Sequence, residues 1–449
     1  MSAVIASQSP VAQRIEWARA NLFNSKLNSL ISGVTLGIGL ILAILIAKFV
    51  LFDANWALVS LNRRLFFVGG YPGEELYRIW IAAFAAVVLA SVSYGIWVGR
   101  MRPYLITVGV IAVVMLTLGL GTDLYIKETP FTQEITSGGQ TSTISGIDRE
   151  LVWEQGWAPS WLYAFSLGLA LPFGGAWLIM AALLVTLVLG ALFGKHVLSR
   201  WRGSPILLQS IGAGWVLLVP AAVLLQLGVS INSWGSAFLD ILIFAVGGFF
   251  SFFIGLVLAL GRISPYRAIR FVSVGYIEVV RAAPLLVWLL FATFLQDELG
   301  PLGEAFSSIS LVFRVMIVFA FFGGAYIAEV IRGGLQSIPR GQYEASNALA
   351  LSALQKYVFI ILPQAIKAVI PAIIGRFIAL WKDTALLAAI SLINTLEQAK
   401  KILAGQTDIA DGAFFEIYIV VGLIYWSVSY MLSLLGGAAE KRLSAGERR

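Results

Sequence analysis

Apolar runs long enough to cross a bilayer recur along the whole chain, near residues 30–51, 78–98, 103–121, 166–193, 206–228, 237–261, 271–296, 309–331, 371–393 and 412–436. Each is about 19 to 28 residues, or about 30 to 40 Å as a helix, which is enough to cross the roughly 30 Å hydrocarbon core of a bilayer. Backbone polar groups in lipid must find partners within the chain, so segments of this length and composition are read as helices. The expected fold class is therefore an all-α integral membrane protein with about ten transmembrane helices. With 59% hydrophobic and 12% charged residues, the chain has more apolar surface than one soluble core buries. The first run, Leu30 to Leu51, exceeds the 7 to 15 apolar residues of a cleavable signal and is read as a retained span.

The formal net charge of +7 invites comparison with nucleic-acid binders, so the placement of the charges matters more than their sum. With the N-terminus in the cytoplasm, the inside segments hold about 19 Lys and Arg and the outside segments about 6, which satisfies the positive-inside rule. Acidic residues run the other way, with about 15 outside and about 4 inside, a weaker topological signal. The basic balance is a signature of topology, and no nucleic-acid surface is expected. Both termini are placed in the cytoplasm. The chain has no cysteine, which removes disulfides, thiolate chemistry and Cys-based metal sites.

Two halves follow from the spacing of the runs. Residues 1–231 form an N-terminal extension of about five spans with a polar periplasmic loop near 122–165. That loop contains SGGQTSTISG and is read as irregular, with Trp153, Trp157 and Trp161 returning the chain to the interface that indole rings prefer. Residues 232–436 hold five more spans, and 437–449 form a cytoplasmic tail. No short-period repeat and no inverted pair of broken helices is evident.

The second half is interrupted near 332–370 by an insert too polar to span. Pro339 suits the first turn of a helix over Arg340 to Leu351. Ser352 and Gln355 have capping-box spacing and start a second helix, which Pro363 is expected to interrupt. Leu354, Val358, Ile361 and Leu362 share one face of it, suited to membrane helices. The first helix then projects Gln342, Tyr343 and Glu344 toward the cytoplasm. Within the insert, Glu344, Ala345, Ser346, three residues, Ala350, nine residues and the run Ile360, Ile361, Leu362, Pro363 resemble the EAA loop of ATP-binding-cassette importer permeases. Ser346 stands for an alanine of that pattern and Ala350 for its glycine. An alanine in a left-handed turn costs about 1 kcal/mol, so a different bend is expected at Ala350.

The flanking residues narrow the resemblance. GGAYIAEVIRGGLQSIPRGQYEA from Gly323, ILPQA from Ile361 and WKDTA from Trp381 are similar to polar amino acid uptake permeases, as are Glu278, Arg281 and Pro284. The N-terminal half, including WALVSLNRRLFFVGGYP, looks like the M-type subunit of general L-amino acid transporters. The resemblance implies a type I importer permease core in the bacterial inner membrane whose coupling helix, with Gln342, Tyr343, Glu344, Ala345, Ser346 and Ala350, docks on a cytoplasmic ATPase. It implies a hetero-oligomer with a second permease subunit, two ATP-binding subunits that carry ATP and Mg, and a periplasmic amino-acid-binding protein. The chain itself lacks the GxxxxGK[ST] phosphate loop, so it is read as a transport subunit with no catalytic residue, cofactor or metal.

Charges inside spans are costly and usually face a bundle interior or water, or pair with one another. Asp240, Glu278, Arg281, Arg314, Glu329, Arg376, Lys382 and Asp383 are such residues. Of these, Glu278, Arg281, Lys382 and Asp383, with Thr384, are the candidates for the translocation pathway or gate. Glu278 and Arg281 lie three apart on one helix and are placed to neutralise each other. Two rival readings remain at this point: an ion-coupled amino acid symporter, and a membrane scaffold whose insert is only a docking surface. Either way, membrane lipid and an amino acid substrate are the non-protein partners considered.

Overall fold

The computed structural model describes residues 10–54, 59, 62–102, 104–109, 124–137, 140–153, 175–294, 300–405 and 414–447. Two compact units divide at Trp56. The first contains α1 (Pro10–Asn21) and α2 (Lys26–Lys48), the latter capped by Ser25, whose side chain accepts from the Asn28 amide. None of the residues of α2 is buried, and a helix apolar on all sides suits a lipid surround.

Among the described residues the second unit is helical apart from one hairpin: α3 (Arg63–Val68), α4 (Leu76–Trp97), the strands β1 (Leu124–Ser137) and β2 (Gln140–Trp153), then α5 (Gly175–His196), α6 (Pro205–Gln226), α7 (Ser236–Arg262), α8 (Arg267–Ala282), α9 (Leu285–Phe294), α10 (Pro301–Ser307), α11 (Leu311–Ser337), α12 (Arg340–Ala348), α13 (Leu362–Asp383), α14 (Thr395–Gly405) and α15 (Phe414–Glu447). Among the described residues seven helices are long and apolar enough to cross a membrane, and the pair α8–α9 makes up to eight. The expected run at 103–121 continues beyond the described residues, as does the start of the run at 166–193, from which α5 emerges.

Three local readings are corrected. Residues 124–137 and 140–153 of the polar loop form an antiparallel hairpin from Leu124↔Trp153 to Ser137↔Gln140, while Trp157 and Trp161 lie outside the described residues. Only two residues separate its strands, and both strands are rich in Thr and Ile, a pattern that favours pairing over irregular backbone. The run at 271–296 is not one straight helix. It bends by 93° between α8 and α9, where Pro284 removes a backbone donor and holds Ala283 extended at φ −111°, ψ 147°. Pro363, by contrast, stops nothing: residues Lys356–Ile361 form a π-helical segment that leads straight into α13. The wider turn absorbs the proline ring, which occupies the first turn of α13 where a missing amide costs little.

Lipid provides no hydrophobic drive between helices, so close packing has to come from small residues. Gly247, Ser251 and Gly255 line one stripe of α7. An added Cβ at Gly247 would lie 2.6 Å from Phe319 Cβ, and one at Gly324 on α11 would lie 2.6 Å from Ile254 Cγ2. The first half uses the same device. A Cβ at Gly95 of α4 would sit 2.2 Å from the Ala191 carbonyl of α5. Around these contacts runs a core containing Tyr71, Trp234, Leu239, Phe319 and Leu387.

Candidate functional site

The insert is held as a rigid lever. Tyr343 lies on the inner side of α12, where its hydroxyl donates to the Leu335 carbonyl at 3.1 Å and its ring meets Tyr357 edge-on at 6.5 Å. Burial, followed by the neighbouring Tyr357 hydroxyl, pushes its pKa up. Ser346 is buried and donates to the Gln342 carbonyl at 2.6 Å. Gln342 Oε1 in turn accepts from Gln364 Nε2 at 3.1 Å, which ties α12 to α13. The expected capping box is present in full, with Ser352 and Gln355 satisfying each other's backbone amides. Tyr343 therefore braces the helix from within instead of projecting from it, because its ring fills the angle between α12 and the π-helical segment.

The outer side of α12 is formed by Glu344, Ala345, Ala348 and Leu349, all exposed. Glu344 makes no hydrogen bond or ion pair among the described residues. Leu349 is 69% exposed and Leu354 74% exposed. Only Ile361 and Leu362 of the face assigned to membrane packing are buried, while Leu354 and Val358 are open. A carboxylate beside exposed leucines on a braced helix is suited to docking on a partner that offers a cation and an apolar rim.

Ala350 takes φ +55°, so the left-handed turn is made despite the missing glycine, contrary to the expectation of a different bend. Its neighbours impose the turn: the Ala350 amide donates to the Asn347 carbonyl at 2.9 Å and the Leu351 amide to the Ser346 carbonyl at 3.3 Å. Relief of the Cβ strain is expected to make Ala350→Gly stabilising by up to about 1 kcal/mol. Slower amide exchange over residues 340–362 checks this, and unchanged or faster exchange contradicts it.

Six of the eight intramembrane charges fall into three groups, while Arg314 donates to the Ala292 carbonyl at 2.8 Å and Lys382 is exposed. Glu278 and Arg281 do not neutralise each other, because partners on neighbouring helices lie closer. Arg262 pairs with Glu278 at 3.3 Å and also contacts Glu329, which takes Arg332 at 3.0 Å and Arg281 at 3.8 Å. This network joins α7, α8 and α11. Asp240 forms the second group. It is wholly buried, and its Oδ2 accepts from the Thr395 amide at 3.0 Å, the Thr395 hydroxyl at 2.5 Å and the Tyr425 hydroxyl at 3.0 Å. The carboxylate sits at the N-terminus of α14, where the helix dipole favours an anion. Thr384 has a comparable structural part: it is buried, its hydroxyl donates to the Trp381 carbonyl at 2.7 Å, and its backbone carbonyl accepts from the Asn394 side-chain Nδ2 at 2.8 Å.

Asp383 and Arg376 form the third group. Both line a cleft of about 510 Å³ bounded by Ser251, Pro284, Tyr326 and Leu386. Lys382, one residue before Asp383, is exposed and lies outside that lining. Two other clefts, of about 450 and 300 Å³, are lined almost wholly by apolar side chains. Sequence reasoning noted Arg376 only as a charge in a span. Its seven-residue separation from Asp383, which brings both to one face of α13, was the available signal.

Comparison with known proteins places residues 251–445 in the family described as binding-protein-dependent transport system inner membrane component. The inner membrane amino-acid ABC transporter permease protein YhdY of Escherichia coli (strain K12) is 35% identical over 285 residues, which cover 61% of this chain and 74% of that protein. The glutamate/glutamine/aspartate/asparagine transport system permease protein BztC of Rhodobacter capsulatus is 41% identical over 196 residues, 43% of this chain and 44% of that protein, so the match spans less than half of this relative. A solved amino acid ABC transporter with histidines covers 45% of this chain and 90% of its own at 30% identity and a TM-score of 0.40.

Proposed function

This chain belongs to the family of binding-protein-dependent transport system inner membrane components, and from that premise we propose that it is a membrane-spanning subunit of an ATP-driven importer of amino acids. The observation that carries the reading is the geometry of α12: a helix braced by Tyr343, Ser346 and the Ser352 capping box presents Glu344, which has no partner among the described residues, beside the exposed Leu349. The names of the relatives favour a permease over the ion-coupled symporter. The scaffold reading is disfavoured by the charged cleft, since unpaired charges inside spans are costly unless they face water or a ligand.

In this reading the partners are a second permease subunit, two ATPase subunits that hold ATP and Mg, and a periplasmic protein that delivers the amino acid. The chain lies in the inner membrane with both termini in the cytoplasm, as the Lys and Arg distribution supports. ATP-driven closure of the ATPases moves α12, and its attachment to α11 and α13 carries the movement to the cleft. Helix α13 begins beside Gln364 and ends at Asp383, so one rigid element joins lever and cleft. Nucleotide and loaded binding protein then bias the same two-state equilibrium between outward-open and inward-open forms.

The test is uptake into proteoliposomes carrying the assembled complex. Amino acid import is expected to require internal ATP and the binding protein and to survive a protonophore, while the isolated chain hydrolyses no ATP. Import that collapses with the protonophore and persists without ATP contradicts the proposal.

A further inference from the structure

Helices α4 and α6 touch at two places and part between them. At one end the Arg78 guanidinium of α4 donates to the Leu225 carbonyl of α6 at 2.8 Å. Further along, an added Cβ at Gly214 of α6 would lie 2.9 Å from Leu89 Cδ2 of α4. These contacts hold the two helices at a fixed spacing, and between them lies the cleft of about 300 Å³, with α7 as its third wall. Small residues such as Ala82, Ala83 and Ala222 leave this space open instead of filling it. The cleft runs from Ile79 to Ala86 on α4 and from Ala237 to Ala245 on α7, which is about 10 to 12 Å of helix. Its shallow end is where α4 and α7 begin and α6 ends at Gln226.

Gln226 lines that shallow end and is 1% exposed. Its Oε1 accepts from the Tyr71 hydroxyl at 2.5 Å, but its Nε2 is buried with no hydrogen-bond partner. Apart from Trp80, it is the only lining side chain with a polar atom. A buried amide donor left unpaired is costly, so the cleft calls for an acceptor. Water is a poor occupant, because it needs two to four polar partners and these walls are apolar. Empty space is no better, since the lining then loses its packing contacts. What fits is a molecule with one acceptor at the level of the helix ends and a hydrocarbon body running into the spans. We propose that the cleft is a phospholipid site, in which an acyl ester carbonyl accepts from Gln226 Nε2 and the chain beyond it lies between α4, α6 and α7. The esters of a bilayer lie at the edge of its hydrocarbon core, the depth at which these helices begin and end. The first half of the chain thereby makes a lipid-filled joint with α7, the first helix of the permease core. This inference is independent of the importer reading, because it uses neither α12 nor the relatives.

Titration of the full chain in detergent with dioleoyl phosphatidylethanolamine, read by native mass spectrometry, tests the proposal. A zwitterionic headgroup suits an end where Arg78 is already paired with Glu75 at 2.5 Å. The matching dialkyl ether lipid lacks the carbonyl and is expected to bind about fivefold more weakly, the worth of one hydrogen bond. A diazirine in the acyl chain is expected to label the segments of α4, α6 and α7 that line the cleft. Ala222→Phe fills the space and is expected to weaken binding at least about tenfold and to remove the label. Ala85→Phe, at an exposed position of α4 outside the lining, leaves both unchanged. Gln226→Glu keeps the acceptor for Tyr71 and removes the donor, so the preference for ester over ether disappears. If that variant does not fold, the ether comparison and Ala222→Phe decide the matter alone. Equal binding of ester and ether lipid by the wild type, labelling away from the cleft, or wild-type binding by Ala222→Phe overturns the proposal. Recovery of a free fatty acid in place of the phospholipid overturns it as well.

Discussion

Glu344→Lys is expected to leave the membrane subunits assembled and to lower ATP hydrolysis stimulated by loaded binding protein at least about tenfold, with uptake falling in parallel. The size follows from the position of the charge. Among the described residues Glu344 has no hydrogen-bond or ion-pair partner, and in the proposed coupling contact a cation on the ATPase would complete it. Replacing one member of a partly desolvated pair typically costs a few kcal/mol, and about 1.4 kcal/mol already changes an equilibrium tenfold. Reversal to lysine adds repulsion to that loss. The substitution leaves the braces of α12 intact, because Tyr343, Ser346 and Gln342 carry them. Stimulated hydrolysis at the wild-type rate in Glu344→Lys would remove Glu344 from the coupling contact.

Gly255→Leu is expected to have the largest effect on folding. At this position α7 and α11 approach so closely that a Cβ would lie 2.7 Å from Ile327 Cγ2, 2.8 Å from Ile327 Cβ and 3.0 Å from the Ala328 amide nitrogen. The last of these is backbone, which cannot rotate away. A leucine there forces the helices apart along the stripe that Gly247, Ser251 and Gly324 share, so the cost exceeds the usual overpacking range of about 1 to 3 kcal/mol. Little folded protein is expected in detergent, with a clear fall in melting temperature of what remains. Gly275→Leu, where the added carbon meets nothing within 4 Å, is the control and is expected to fold normally. Equal stability of the two variants would contradict the helix-packing account.

Much of this architecture was legible because membrane spans announce themselves by length and apolarity, and because capping boxes are local. Ser352 and Gln355 needed only their own spacing to be read. What escaped were features set by neighbours distant in sequence. The pairing of Glu278 with Arg262, and of Arg281 with Glu329, depends on helix packing that three-residue spacing cannot reveal. Asp240 looked like one more costly charge, yet Thr395 and Tyr425 make it a buried joint between α7, α14 and α15. The inward turn of Tyr343 was hidden for the same reason, since its hydroxyl partner and its ring partner lie on different elements. Ala350 shows the opposite limit: its propensity argued against the left-handed turn, and the hydrogen bonds around it prevailed.

The most direct measurement of the coupling claim exploits the absence of native cysteine. Ala345→Cys places a single thiol on the outer side of α12, next to Glu344. In the assembled complex a benzophenone maleimide attached to this thiol is expected to photo-cross-link it to the ATPase subunit, with a yield that changes between the nucleotide-free and ATP-bound states. Labelling of the same thiol by an impermeant maleimide from outside intact spheroplasts, or failure to cross-link to the ATPase in either state, would contradict the account.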